Sequence, residues 1–302
     1  MKQGVSTSKL MRKENFVSWG ILAPTLVYYT IFSIVPLVIL VGYSLTDMYG
    51  LAPELAEFIG LDNYIQIFTD IQFWQIMKNT LVMSVISMVS SIVIGFFVAV
   101  LLSKPIKCRG AFRTAWYIPS LVAIGVISQM LSVLLKSDGL LNNMLRKFGI
   151  LGESDFISWV NSSFWMNFWI IILCIWRGLG GNMLLFMAGL TGIPTETIEA
   201  AQIDGANSAQ ILFKIKIPLI KPMFSFVIIN SVVAIFGLFE PIQLISEGGP
   251  NGTTNTIMYE IYNRAFKNYE QGYASAMSVI VLVITLALTV LSVRISRSSS
   301  EE

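Results

Sequence analysis

The chain contains no histidine. That removes the commonest general base and metal ligand at neutral pH. Charge is scarce as well. Asp, Glu, Lys and Arg make up 13% of the 302 residues, against about 25% in soluble domains. A net charge of +2 gives nucleic-acid binding no electrostatic footing. The two cysteines, Cys108 in a basic loop and Cys174 in an apolar run, make neither a disulfide framework nor a metal site. The phosphate-cradling pattern Gly-x-x-x-x-Gly-Lys-[Ser/Thr] is absent, so the chain should not hydrolyse ATP alone.

What the chain has in abundance is apolar sequence. Hydrophobic residues make up 55% of it, and its mean hydropathy is +0.71. A helix needs roughly 20 apolar residues to cross the hydrocarbon core. No charge falls between Glu14 and Asp47, Lys78 and Lys104, Arg113 and Lys136, or Glu270 and Arg294. Two further stretches hold one charge each, Arg177 between Asp155 and Glu196 and Glu240 between Lys221 and Glu247. This pattern predicts an all-α polytopic membrane protein with six transmembrane helices, at about 17–45, 79–103, 113–135, 164–190, 222–245 and 273–295. The first is too long for a secretory signal core, no small-residue cleavage site follows it, and it should be retained. The tail from Ser296 to Glu302 reads as a disordered end.

Basic residues set the orientation. With the N-terminus inside, the inner segments hold Lys2, Lys9, Arg12, Lys13, Lys104, Lys107, Arg109, Arg113, Lys214, Lys216, Lys221, Arg294 and Arg297. The outer loops hold only Lys78, Lys136, Arg146, Lys147, Arg264 and Lys267. Both termini are therefore expected in the cytoplasm, together with the segment 191–221.

That segment is polar and rich in small residues. Pro194 suits a helix start, and Glu196 and Glu199 complement the helix dipole. Asp204-Gly205 stops the helix, glycine being free to adopt positive φ. Asn207 or Ser208 can cap a second helix, which Pro218 ends. Ala200, Ala201, Gly205 and Ala206 keep the surface low enough for another backbone to approach. Taken alone, the segment could equally be a plain solvated connector.

Its residues decide between the two. Glu199-Ala200-Ala201, three residues, Gly205, nine residues, Ile215, one residue, Ile217-Pro218 resembles the signature of the membrane subunits of binding-protein-dependent ABC importers. Ile217 departs from the leucine usual there. Phe58-Ile-Gly60-Leu61-Asp-Asn63-Tyr64, Ala188-Gly-Leu190-Thr-Gly-Ile-Pro194 and Gly248-Gly249-Pro250 look like the carbohydrate-uptake branch. So do Ile261-Tyr262-Asn-Arg-Ala265-Phe266 and Gly272-Tyr273-Ala274-Ser-Ala276. The resemblance runs from about Trp19 to Arg294 and is nearest to the first of two permeases, the maltose-F-like or glycerol-phosphate-A-like type.

The resemblance implies one transmembrane domain over 1–302, in a bacterial or archaeal cytoplasmic membrane. It implies that the chain is not an enzyme but a permease forming half of a pathway for a sugar or oligosaccharide. Its partners would be a second related permease, two copies of an ATPase subunit and an extracytoplasmic solute-binding protein. ATP and Mg would be used by the ATPase subunits, with no cofactor on this chain. Glu199, Ala200, Ala201, Asp204, Gly205 and Pro218 would couple the loop to an ATPase.

The two membrane charges are the next candidates. A charge at the bilayer centre costs about 2.5–3.5 kcal/mol on insertion scales, so it usually faces a cavity or a partner. Arg177 and Glu240 can neutralise each other as an ion pair, or one or both can contact the solute. Gly178 and Gly181 lower the helix wall beside Arg177. In maltose-type relatives these helices line the sugar site, which adds Ser231 and Leu238 to the expected pathway. Gln129 and Asn182 can bond sugar hydroxyls or serve as glue between helices, as can Asn230 and Gln243.

Two other classes compete. A secondary transporter of a small polar solute would also carry midplane charges, yet it would need no docking knob. A membrane enzyme would need a catalytic cluster, and no histidine, metal-ligand spacing or nucleophile elbow is present.

Overall fold

The computed structural model describes residues 7–50 and 52–298, with side chains described for 18–50 and 52–296. Lys2 and the tail 299–302 lie outside the described residues, as do the side chains of Lys9, Arg12, Lys13 and Arg297. Every regular element among the described residues is helical; pairing of extended backbone is confined to one bridge, Thr46 with Phe58. The chain divides into two compact units, Met1–Ile67 with Arg264–Val279 and Phe68–Asn263 with Ile280–Glu302.

The first unit begins with α1 (Thr7–Tyr29), a π-helical turn (Thr30–Ile34) and α2 (Val35–Ser44). Together these give an apolar helix over Ser18–Ser44. It is exposed from Ser18 through Ile39, with Ile21 at 72% and Trp19 at 64%, and becomes buried only at its end, at Ser44. An apolar helix bare all round requires lipid or protein around it. The turn after α2 leads into α3 (Asp62–Thr69) and is held by Asn63, whose Nδ2 donates to Ser44 O at 3.1 Å and Thr46 O at 2.8 Å. Gly272 N donates to Met48 O at 2.9 Å, and a Cβ at Gly272 would collide with Thr46 O. Arg264 pairs with Glu270 at 2.8 Å and covers the Tyr273 ring at 4.9 Å.

The second unit is organised on two long helices, α4 (Ile71–Ser103) and α8 (Ser163–Thr191). They cross over a stripe of small side chains on α4. Ser91, Gly95 and Ala99 stand four residues apart and are all buried. A Cβ on Gly95 would lie 3.0 Å from Asn182 Cβ and 3.3 Å from Leu179 O, so glycine is what permits the close approach. Below the crossing, Phe96, Phe186 and Phe224 pack as a triad with centroids 4.6–5.5 Å apart. On the other side, α5 (Arg109–Leu121) packs on α8 through Gly180, whose Cβ would stand 2.5 Å from Trp116 O.

Three expected helices differ from their sequence reading. α4 starts at Ile71 rather than near 79, because Asp70 caps it by accepting from Gln72 N at 2.8 Å. Lys78 bounds the uncharged run without interrupting helical hydrogen bonding. The stretch 113–135 is not one helix. α5 and α6 (Ile124–Leu134) meet at 92°. Pro119 removes a backbone donor near the end of α5, and Val122 and Ala123 are extended (ψ 138° and 130°). The stretch 222–245 is likewise interrupted. Its helix stops at Val233, ahead of Gly237 and Pro241, and a π-helical turn (Ile242–Ser246) follows. Among the described residues, four helices are long and apolar enough to cross a membrane, at 18–44, 71–103, 163–191 and 271–296. The last of these runs on to Ser298, so the first residues of the expected disordered tail are helical.

The remaining helices are short. α7 (Leu140–Lys147) follows α6. α9 (Thr195–Ile203), α10 (Ser208–Gln210) and α11 (Ile217–Leu219) lie between α8 and α12 (Lys221–Val233). α13 (Ile257–Tyr262) precedes α14 (Gln271–Ser298).

Candidate functional site

Where α4, α8 and α12 come together, they leave a cavity of about 350 Å³. Ser84, Ser87 and Ser91 face it from α4, and Cys174, Arg177, Gly178 and Asn182 from α8. Asn230 and Ser231 on α12 complete the polar wall, with Ala234, Ile235, Gly237 and Leu238 beyond it. The serine spacing of three and four residues puts all three hydroxyls on one helical face.

Most of these side chains are already engaged. Ser84 Oγ donates to Ile235 O at 2.6 Å, and Ser231 Oγ to Val227 O at 2.8 Å. Ser91 Oγ donates to Met88 O at 3.0 Å and accepts from Asn182 Nδ2 at 3.2 Å. Asn230 Nδ2 donates to Phe226 O at 3.0 Å. Two buried atoms in the wall are unpartnered, Ser87 Oγ and Arg177 Nε. The backbone carbonyl of Arg177 is held by Ser120 Oγ at 3.0 Å.

The polar segment after α8 forms the expected pair of helices. α9 begins after Pro194 and ends at Asp204. Gly205, at φ +81°, donates to Gln202 O at 3.1 Å, and Ala206 N donates to Ala201 O at 2.9 Å. These two bonds close the helix in a Schellman arrangement. Asn207 then starts the next helical stretch in a capping box. Its Oδ1 accepts from Gln210 N at 2.9 Å while Gln210 Oε1 accepts from Asn207 N at 2.8 Å. A π-helical run (Ile211–Lys216) continues into α11, so helix persists through Pro218 to Leu219 instead of ending at the proline. Glu199, Ala200, Asp204, Gly205 and Pro218 are exposed, and Ala201 is half-buried. Ile203 is 87% exposed and Phe213 60%, which puts apolar side chains on a polar knob.

The sequence profile of the family described as binding-protein-dependent transport system inner membrane component matches residues 80–300. This chain belongs to that family. It is 30% identical over 290 residues to the lactose transport system permease protein LacF of Rhizobium radiobacter, covering 95% of this chain and 96% of that protein. It is 31% identical over 294 residues to the sn-glycerol-3-phosphate transport system permease protein UgpA of Escherichia coli O6:K15:H31, covering 96% and 97%. A chain in the crystal structure of a bacterial alginate ABC transporter, in complex with an alginate pentasaccharide-bound periplasmic protein, superposes with a TM-score of 0.82. Identity is 23%, over 95% of this chain and 96% of that one, so the likeness is one of fold.

In this permease, five of the expected pathway residues line one cavity: Arg177, Gly178, Asn182, Ser231 and Leu238. Three do not. Gly181 is on α8 with open space where a Cβ would stand. Gln129 is exposed on α6 beside a separate apolar hollow with Val126, Met130 and Val133. Glu240 is half-buried two residues beyond Leu238 and outside the wall. Among the described residues, Arg177 and Glu240 form no ion pair with each other or with any other side chain. The break after Val233 takes Glu240 off the helix that would have aligned it. Ser84, Ser87 and Ser91 were missed, although their 3–4 spacing inside a span was a readable signal. Among the described residues, no group of three His, Cys, Asp or Glu side chains stands close enough to hold a metal ion.

Proposed function

We propose that this chain is the permease subunit of an ATP-driven importer of a sugar or oligosaccharide. It would cross a bacterial or archaeal cytoplasmic membrane six times as one domain over 1–302, with both termini inside. The bent pair α5–α6 and the interrupted stretch from α12 to Ser246 would each serve as one crossing. The cavity between α4, α8 and α12 would be half of the solute pathway, and a second related permease would supply the other half. Two ATPase subunits would do the hydrolysis with ATP and Mg. A solute-binding protein would deliver cargo from outside.

The observation that carries this reading is the pairing of two features in one member of the family. One is a polar cavity with a single cation, and the other is a rigid, exposed two-helix knob. Sugar cargo is supported by the relative named for lactose transport. Glu199, Ala200, Ala201, Asp204, Gly205 and Pro218 would meet the ATPase. The double cap at Gly205 and Asn207 would help the knob transmit a push.

Co-purification of the expressed operon tests the assignment. A complex with an ATPase, whose hydrolysis rises with loaded binding protein, is expected. Uptake by this chain alone, driven by a proton or sodium gradient, would replace the proposal with a secondary transporter.

A further inference from the structure

We infer that the cavity selects an anionic solute, a saccharide or polyol bearing a carboxylate or a phosphate, through Arg177. The inference rests on the cavity being the solute pathway.

The charge balance of the wall comes first. Its lining includes Arg177 but no aspartate, glutamate or lysine. Among the described residues the guanidinium has neither an ion pair nor a side-chain hydrogen bond, and its Nε is closed off from solvent. Glu240, the acid two residues beyond the wall's Leu238, is outside the wall. A cation held in an apolar span without a partner is costly. An anion entering the cavity removes that cost, and a neutral solute leaves it in place.

The hydrogen-bonding balance points the same way. The hydroxyl protons of Ser84, Ser91 and Ser231 are spent on backbone carbonyls. The amide of Asn182 is directed to Ser91 Oγ and that of Asn230 to Phe226 O. What these groups retain for a guest is acceptor capacity on Oγ and Oδ1 together with one spare N–H on each amide, and Ser87 Oγ keeps its own hydroxyl proton. Sugar and polyol hydroxyls, which both donate and accept, fit such a wall. A carboxylate or phosphate is acceptor-only and finds its strongest match at Arg177, whose planar fork suits both groups. A neutral polar wall with one cation is complementary to a polyhydroxylated anion.

The complete importer, with its ATPase and binding protein, is assayed in proteoliposomes with four labelled probes. They are digalacturonate against digalactose, and glucose 1-phosphate against glucose. Wild type is expected to accumulate the anionic member of at least one pair tenfold or more over its neutral partner. The pair that discriminates identifies carboxylate or phosphate as the charged group. Arg177→Gln should bring the ratio to near one, Arg177→Lys should restore most of it, and both should still co-purify with the ATPase. A wild-type ratio at or below one, or no accumulation of either anion, overturns the inference and leaves the importer assignment standing. So does a ratio unchanged in Arg177→Gln, as when a carboxylate of the second permease neutralises Arg177. Uptake that continues without ATP overturns the assignment itself.

Discussion

Asn182 on α8 donates from Nδ2 to Ser91 Oγ on α4 at 3.2 Å. One turn along α4, the backbones are so close that a Cβ added at Gly95 would lie 3.0 Å from Asn182 Cβ. The bond therefore sits beside a close approach of α4 and α8 and in the cavity wall. Interhelical hydrogen bonds in membranes average about 0.6 kcal/mol in double-mutant cycles, with a maximum near 1.7. Ser91→Ala and Asn182→Ala should show a coupling energy of about 0.5–1.5 kcal/mol in reversible unfolding in detergent micelles. Strict additivity would show that the two side chains do not support each other.

Gly180 and Gly181 are neighbours with opposite surroundings. A Cβ at Gly180 would meet Ser120 Oγ and Trp116 O at 2.5 Å, whereas one at Gly181 would meet nothing within 4 Å. Gly180→Ala should destabilise by about 1–3 kcal/mol, the usual range for overpacking. Gly181→Ala should be neutral or slightly stabilising, since alanine is the better helix former. Thermal denaturation of the purified permease complex compares them, and equal effects would contradict the packing of α5 on α8.

Thr80 is fully buried on α4. Its Oγ1 donates to Ile76 O and accepts from Ile257 N, both at 2.8 Å, which fastens the start of α13. Thr80→Val keeps the shape and leaves the Ile257 N–H unpaired, at about 1–3 kcal/mol. Thr80→Ser should lose far less. Hydrogen exchange at Ile257 should rise in the valine variant, and unchanged protection would mean another acceptor takes over.

Gly205 adopts φ +81° with open space around it. Asparagine tolerates this conformation better than most residues, so Gly205→Asn should preserve the knob and much of the uptake. Gly205→Trp adds bulk at an exposed turn and should abolish loaded-binding-protein stimulation of the ATPase while membrane insertion continues. Glu199 substitutions should act similarly. Full uptake by the tryptophan variant would remove this loop from coupling.

Three of the apolar runs were legible in the sequence, the first of them in spite of Pro24 and Pro36. α8, α14 and the first span follow them to within a few residues, apart from helical extensions at the termini of the first and last. The cap at Gly205 and the start at Asn207 were also legible, because both depend on local chemistry. Counting charges failed where the backbone, not the side chains, sets the ending. Pro119 with extended Val122 and Ala123 bends one stretch, and Gly237 with Pro241 divides another. The ion pair of Arg177 with Glu240, one of two readings of those charges, does not form in the structure, and Glu240 lies beyond the helix that ends at Val233. The serine face of α4 and the Ser91-Gly95-Ala99 stripe were present as spacings. Their meaning depended on α8 being the neighbour, which one sequence does not supply.

Ser120 stands on the last turn of α5, just before the 92° corner, and donates to the backbone carbonyl of Arg177 at 3.0 Å. Swinging α5 about that corner must either drag the arginine's peptide along or snap this bond. The elbow at Val122 and Ala123 and the position of the half-buried Arg177 thus share one mechanical coordinate. Whatever straightens the elbow would also retune the proposed grip of Arg177 on a guest.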